Sequence, residues 1–221
     1  MKKLIAITFV LFTIGFAFAQ SDQYTAAMTK NITALRDAKN DEDFQKAANA
    51  FARIAANEAG QWLPAYYQAY SHIMVAVGNM QKQDMKTCQA HLNEAQTILD
   101  AAMKIAPKES ELHVLQGYVF QGRIWEDAMT KGQEFTPKVM QSLQTAMALN
   151  AENPRAYYLM GQQLYHTPEF FGGGAKAALP LLEKAATQYA SYKAPSELHP
   201  SWGEGINAAL LEAAKKQLAN K

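Results

Sequence analysis

One cysteine in 221 residues, Cys88, means that no disulfide can close within this chain, even in an oxidising compartment. Stability has to come from packing. Charge of neither sign is in excess: 21 Lys and Arg stand against 20 Asp and Glu, so no basic stripe is on offer to nucleic acid. Beyond residue 20 there is no apolar run of the roughly 20 residues that a bilayer span requires, so no integral membrane segment is expected after the N-terminus. Alternating apolar and polar stretches, the mark of half-buried strands, are scarce. Catalytic signatures are missing too. There is no Gly-x-Ser-x-Gly elbow, no His-Glu-x-x-His, no cysteine pair and no evident acid pair for cleaving sugars. The expectation is a non-enzymatic protein that needs no cofactor and no bound metal. Cys88, in the helix-like context "DMKTCQAHL", reads as a buried, idle thiol.

What is present starts with "MKKLIAITFVLFTIGFAFAQ". Lys2 and Lys3 precede an apolar run from Leu4 to Phe18, and Ala17-Phe18-Ala19 supplies the small-x-small pattern of a signal peptidase site. Residues 1–19 are expected to be a cleaved signal peptide and 20–221 a single exported domain, periplasmic or secreted. Removing the two lysines leaves 19 basic residues against 20 acidic ones, which keeps nucleic acid improbable as a partner.

Alanine, leucine, glutamine and lysine dominate the remainder, with apolar residues three and four apart, the period of amphipathic helices. One pattern recurs as Ala95, Leu99, Ala102, as Val139, Leu143, Ala146 and as Ala178, Leu182, Ala185, with a weaker copy at Ala47, Phe51, Ile54. A small residue follows fifteen positions after three of these copies: Ile54 to Ala69, Ala102 to Gly117, Ala146 to Gly161. Fifteen is the interval expected between successive units of a helix-turn-helix repeat of about 34 residues. In "EAQTILDAAMKIAPKESELHVLQGYVF" and "LQTAMALNAENPRAYYLMGQQLY" the chain resembles the tetratricopeptide-repeat (TPR) family, with Pro107 and Pro154 in the turns between repeats. Through "NPRAYYLMGQQLYHTPEFFGGGAKAALPLLEKA" and "LHPSWG" it is similar to exported TPR proteins of Bacteroidetes-type Gram-negative bacteria. The resemblance implies an all-α, right-handed solenoid of antiparallel helix pairs. Repeats are expected over roughly 41–190, a first helix near 21–37 and a capping helix over 201–219 that covers the open end.

The spacing within each repeat departs from the family's twelve residues. Ala69 to Ala95, Gly117 to Val139 and Gly161 to Ala178 are 26, 22 and 17 apart, so elongated turns are expected along one edge, where solenoids often bind. The third turn is "HTPEFFGGG". It lacks the preceding strand and the Lys-Ser/Thr ending of a phosphate loop. It reads instead as a connector in which Pro168 stops a helix, Phe170 and Phe171 tuck the loop onto the hairpin, and the glycines turn the chain. Pro180 should kink the following helix or delay its start. A metal here would need His166, Glu169 and His199 to converge.

Counting from the small residues places Tyr66, Tyr70, Tyr118, Gln121, Tyr158, Gln162 and Tyr165 on equivalent helix faces, with Arg155 one turn before Tyr158. In the TPR family such positions line a concave, peptide-holding groove. Tyrosine suits that task, with a broad apolar face and one hydroxyl; equally it suits packing of helix on helix. Arg123 and Trp125, in the second turn, are candidate edge contacts. The expected function is an adaptor or scaffold that holds a protein or peptide in the tyrosine-lined groove or along the edge. The alternative is a small-molecule or metal-binding periplasmic protein that uses the 165–175 turn and the C-terminal loop.

Overall fold

The computed structural model describes residues 22–220; the signal segment and its cleavage point after Ala19 lie outside them. Among the described residues every long element is a helix: α1 (Asp22–Arg36), α2 (Asp41–Asn57), α3 (Trp62–Gln81), α4 (Met85–Ile105), α5 (Ser110–Ile124), α6 (Ala128–Leu149), α7 (Pro154–His166), α8 (Ala175–Ser191) and α9 (Glu204–Ala219). A single 3-10 turn, Glu169–Phe171, precedes α8. Asn40, Asp84, Asp127 and Asn153 start α2, α4, α6 and α7 by accepting backbone N–H bonds from the first helical turn, satisfying donors that the helix itself cannot.

The helices pair in sequence. α3 packs on α4, α5 on α6 and α7 on α8, while α3, α5 and α7 also touch one another in order and form the inner layer. α1 lies on α2 at one end, and α9 lies on α8 at the other. The repeated sequence pattern has a direct structural meaning. A Cβ on Gly117 would come within 2.7 Å of Leu143, and one on Gly161 within 2.7 Å of Leu182. Each small inner-helix residue is therefore the seat of the large outer-helix residue of its own repeat. Leu99, Leu143 and Leu182 are fully buried, each contributing about 1.5–3 kcal/mol of apolar burial. Between repeats, Asn153 at the start of α7 donates to Ser110 Oγ at the start of α5 at 3.0 Å, and Ser110 in turn donates to the Ala146 carbonyl in α6 of its own repeat at 2.9 Å.

One expectation needs correcting, and one of two alternatives closes. The extra residues of the first two repeats lengthen the helices rather than the turns. α3 and α4 run to 20 and 21 residues and α6 to 22, leaving the short connections 82–84 and 125–127. A continuous amphipathic helix satisfies its own backbone, which a long irregular loop cannot do. Only the third connection, 167–174, is a real loop. Nor does α8 start late, for Pro180 sits inside it, after Ala175 has already begun the helix.

Candidate functional site

The concave face forms where the tyrosine spacing places it, but it is not open. After α8 the chain runs back across the inner layer through residues 192–203 and drives Trp202 into the middle of the predicted groove. Tyr70 stacks on Trp202 with ring centroids 5.0 Å apart and planes at 20°. Tyr118 and Tyr158 flank it at 6.1 and 6.4 Å, and the indole Nε1 donates to the Tyr66 hydroxyl at 2.7 Å. Four sequence-predicted residues thus converge on one centre, and the occupant is the protein's own tryptophan. The segment is tied at further points. Tyr67 donates to the Leu198 carbonyl at 2.8 Å, Tyr189 donates to that of Trp202 at 3.2 Å, and His199 packs edge-on to Trp62.

Beneath Trp202 lies a buried ion pair. Arg155 is 1% exposed and Glu111 2%. The guanidinium grips the carboxylate through Nε at 2.9 and 3.0 Å and through a second nitrogen at 2.6 Å. The Tyr192 ring covers the guanidinium at 5.1 Å. Burial raises the phenols of Tyr66, Tyr70, Tyr118 and Tyr158, that of Tyr118 to about 12. They stay neutral at physiological pH and serve as hydrogen-bonding and stacking groups. The remaining groove candidates are spent in packing. Gln121 donates to the Leu159 carbonyl and Gln162 to the Tyr158 hydroxyl, while Tyr165 sits apart, beside His166. The open peptide groove is therefore corrected to a filled one, because residues 192–203 supply the occupant.

The intra-repeat edge is different. Arg123 donates to Gln89 Oε1 at 2.9 Å, and with Gln89, Glu126, Lys131 and Phe135 it lines a shallow cleft of about 320 Å³. Trp125 anchors its turn against Tyr118 instead of pointing outward. Met129, in the first turn of α6, is 75% exposed. In the third turn Phe170 is 91% and Phe171 61% exposed, so neither tucks onto the hairpin. The turn is held by its backbone instead. Gly172 and Gly174 take φ of 83° and 87°, which side chains disfavour, and Gly174 N–H bonds the Leu164 carbonyl at 2.8 Å. A Cβ on Gly173 would strike the Thr167 carbonyl. The loop is held by its backbone without using its phenylalanines.

His166, Glu169 and His199 are not brought together: His166 packs on Tyr165 at the end of α7, and His199 lies against Trp62 at the start of α3. Among the described residues no group of three or more His, Cys, Asp or Glu side chains is gathered as a metal site. Cys88 is buried as expected, and burial raises its thiol to about 11, which disfavours the nucleophilic thiolate. Sequence reasoning missed Trp202. Its signal was limited to an aromatic residue in the non-periodic stretch "SELHPSWG".

No family model and no curated protein sequence matches the chain. Solved structures do. The HusA haemophore from Porphyromonas gingivalis is 33% identical, covers 88% of this chain and 94% of its own, and superposes with a TM-score of 0.77. A TPR protein from Thermus thermophilus is 19% identical over 88% of this chain and 91% of its own, with a TM-score of 0.54. An O-GlcNAc transferase from Thermobaculum terrenum matches at 16% identity over 77% of this chain and 28% of its own, with a TM-score of 0.50. The last two share the fold alone.

Proposed function

Since the chain belongs to the same family of TPR-like helical-repeat proteins as the HusA haemophore, we propose that it is an exported, non-enzymatic binding protein for a haem-like tetrapyrrole. The observation that carries the reading to a place in the molecule is the pair Phe170 and Phe171. They stand in solvent on a turn held by backbone hydrogen bonds, their rings 5.2 Å apart and in contact with each other. Exposed aromatic surface has a cost in water, and proteins that keep it generally use it for binding. A tetrapyrrole is a flat apolar disc with two carboxylates. The disc suits the Phe170–Phe171 pair, and exposed His166, on the last turn of α7, offers an imidazole for iron. Lys176, at the start of α8, is a nearby cation in sequence for a carboxylate.

The concave face supports the same assignment by elimination, because Trp202 already fills it. A second reading has the fold in its favour: TPR-type solenoids act as interaction scaffolds, and the same exposed pair would then hold a protein partner. The signal-peptide pattern of residues 1–19 supports export, and N-terminal sequencing of the protein isolated from its host should begin at Gln20.

The test is titration with haemin and with iron-free protoporphyrin IX, followed by the Soret band and by tryptophan quenching. Replacing both Phe170 and Phe171 with Ala should weaken both ligands at least tenfold. His166→Ala should weaken haemin alone. Absence of saturable binding by either compound removes the tetrapyrrole reading. Tight binding that ignores all three substitutions removes the third turn as the site.

A further inference from the structure

We propose that His72 and His91 form a binding site for a divalent transition-metal cation, separate from the third turn. His72 lies on α3 and His91 on α4, in the first complete hairpin, and their Nδ1 atoms are 3.0 Å apart. The ring centroids are 5.3 Å apart and the planes differ by 30°, so the two Nδ1 edges face each other. Two imidazole nitrogens bound to one cation at about 2.0–2.1 Å, with a bond angle between a right angle and tetrahedral, stand about 2.9–3.4 Å apart. The existing separation falls within that range. Each ring would have to turn by about 35–45° to direct its lone pair at a shared ion, and half-buried His91 is the ring with access to solvent for that turn.

The protonation states suit the task. In the metal-free pair one Nδ1 must carry a proton and the other accept it. Moving that proton to Nε2 of its own ring frees both Nδ1 lone pairs, with no net proton released. Metal ligation needs neutral imidazole. Burial, then the neighbouring His91, lowers His72 to about 4, and burial lowers His91 as well. Both are therefore neutral at pH 7, and protons do not compete with the cation. The charged groups facing the pair are acidic. Glu94, one turn along α4, acts on both rings, and Asp41 on α2 acts on His91. Asp41 is already paired with Lys82 at 2.8 Å. The protein thus supplies two nitrogens and a negative field, and water fills the remaining positions. Imidazole donors of this kind favour Cu²⁺ over Ni²⁺ and Zn²⁺, and exclude Mg²⁺.

The experiment is calorimetric and thermal titration of the untagged protein with Cu²⁺, Zn²⁺ and Mg²⁺. One equivalent of Cu²⁺ or Zn²⁺ should bind with micromolar or better affinity and raise Tm, EDTA should reverse the rise, and Mg²⁺ should do nothing. Histidine NMR signals should show Cu²⁺ broadening His72 and His91 first. His91→Gln, at the half-buried member, should lose the site by at least tenfold, and His72→Gln should match it if folded. No stoichiometric binding, unchanged binding in His91→Gln, or first broadening at His113, His166 or His199 would each overturn the assignment.

Discussion

The concave face and the intra-repeat edge both carry aromatic side chains, yet they treat them in opposite ways. On the concave face Tyr66, Tyr118 and Tyr158 are 0%, 7% and 1% exposed because Trp202 and its segment lie over them. On the edge Phe170 and Phe171 have no such cover. Aromatic content alone therefore says nothing about binding. What matters is whether the chain itself provides the stacking partner. A face that has been filled in cis belongs to the stability of the fold, and a face left uncovered is free for a ligand. This contrast makes substitutions on the two faces behave differently, and it can be broken by experiment.

The largest effect is expected at the base of the concave face. Glu111→Ala leaves the Arg155 guanidinium buried without its carboxylate, which costs about 3–5 kcal/mol. Replacing both partners, as Glu111→Leu with Arg155→Met, should cost much less, because no charge is then stranded. Urea unfolding of the single and double variants measures the difference. Equal losses would mean that the pair is accessible to water, and the closed face would be wrong.

Trp202→Ala comes next. It removes the ring on which Tyr70, Tyr118 and Tyr158 pack and the donor to Tyr66, for a loss of about 3 kcal/mol. Tyrosines that merely lined an open groove would tolerate the change with Tm nearly constant. Denaturant midpoints decide between the two.

A moderate effect should follow acidification. His72 is held at about 4 by burial first and then by His91, and His91 and half-buried His199 are also lowered, chiefly by burial. An unfolded histidine takes up its proton near about pH 6.5. Between about pH 6.5 and 4 the unfolded chain therefore binds more protons than the folded one, and stability falls as pH falls. Below about pH 4 His72 adds no further slope. His72→Gln should flatten the dependence in that window, as urea midpoints from about pH 7 to pH 4 would reveal.

The repeats were legible because one close approach recurs. Gly117 under Leu143 and Gly161 under Leu182 demand a small residue at fixed distance from a large one, and that demand is written into spacing. The tyrosine face was legible for the same reason, since helical period fixes which side chains share a side. The occupant was not. Trp202 meets Tyr66 across 136 positions, from a segment with no period to place it. The helix extensions were misread as turns because an interval between marker residues measures length and not conformation. A finer signal was present: Ile73, Val77 and Met80 keep the helical spacing almost to the end of α3, and Asp84 stands ready to cap α4. Phe170 and Phe171 were expected to anchor their turn, but backbone bonds from Gly172, Gly173 and Gly174 do so instead.

The smallest effect on stability should come from the edge, and there the small effect is the informative one. Phe170→Ala with Phe171→Ala removes rings that touch each other and solvent, so the change in unfolding free energy should stay within about 0.5 kcal/mol. Removing exposed apolar surface leaves no cavity and frees no buried polar group, and the turn keeps its glycine geometry. If the pair serves a ligand, the same variant should lose at least tenfold in porphyrin affinity, whereas Trp202→Ala, which disturbs the fold, should not lose affinity selectively once corrected for the unfolded fraction. A double phenylalanine variant that proves markedly unstable would show these rings to be packed in solution and would erase the difference between the two faces. One that is stable but loses the ligand would show that this solenoid keeps its groove for itself and binds at its edge.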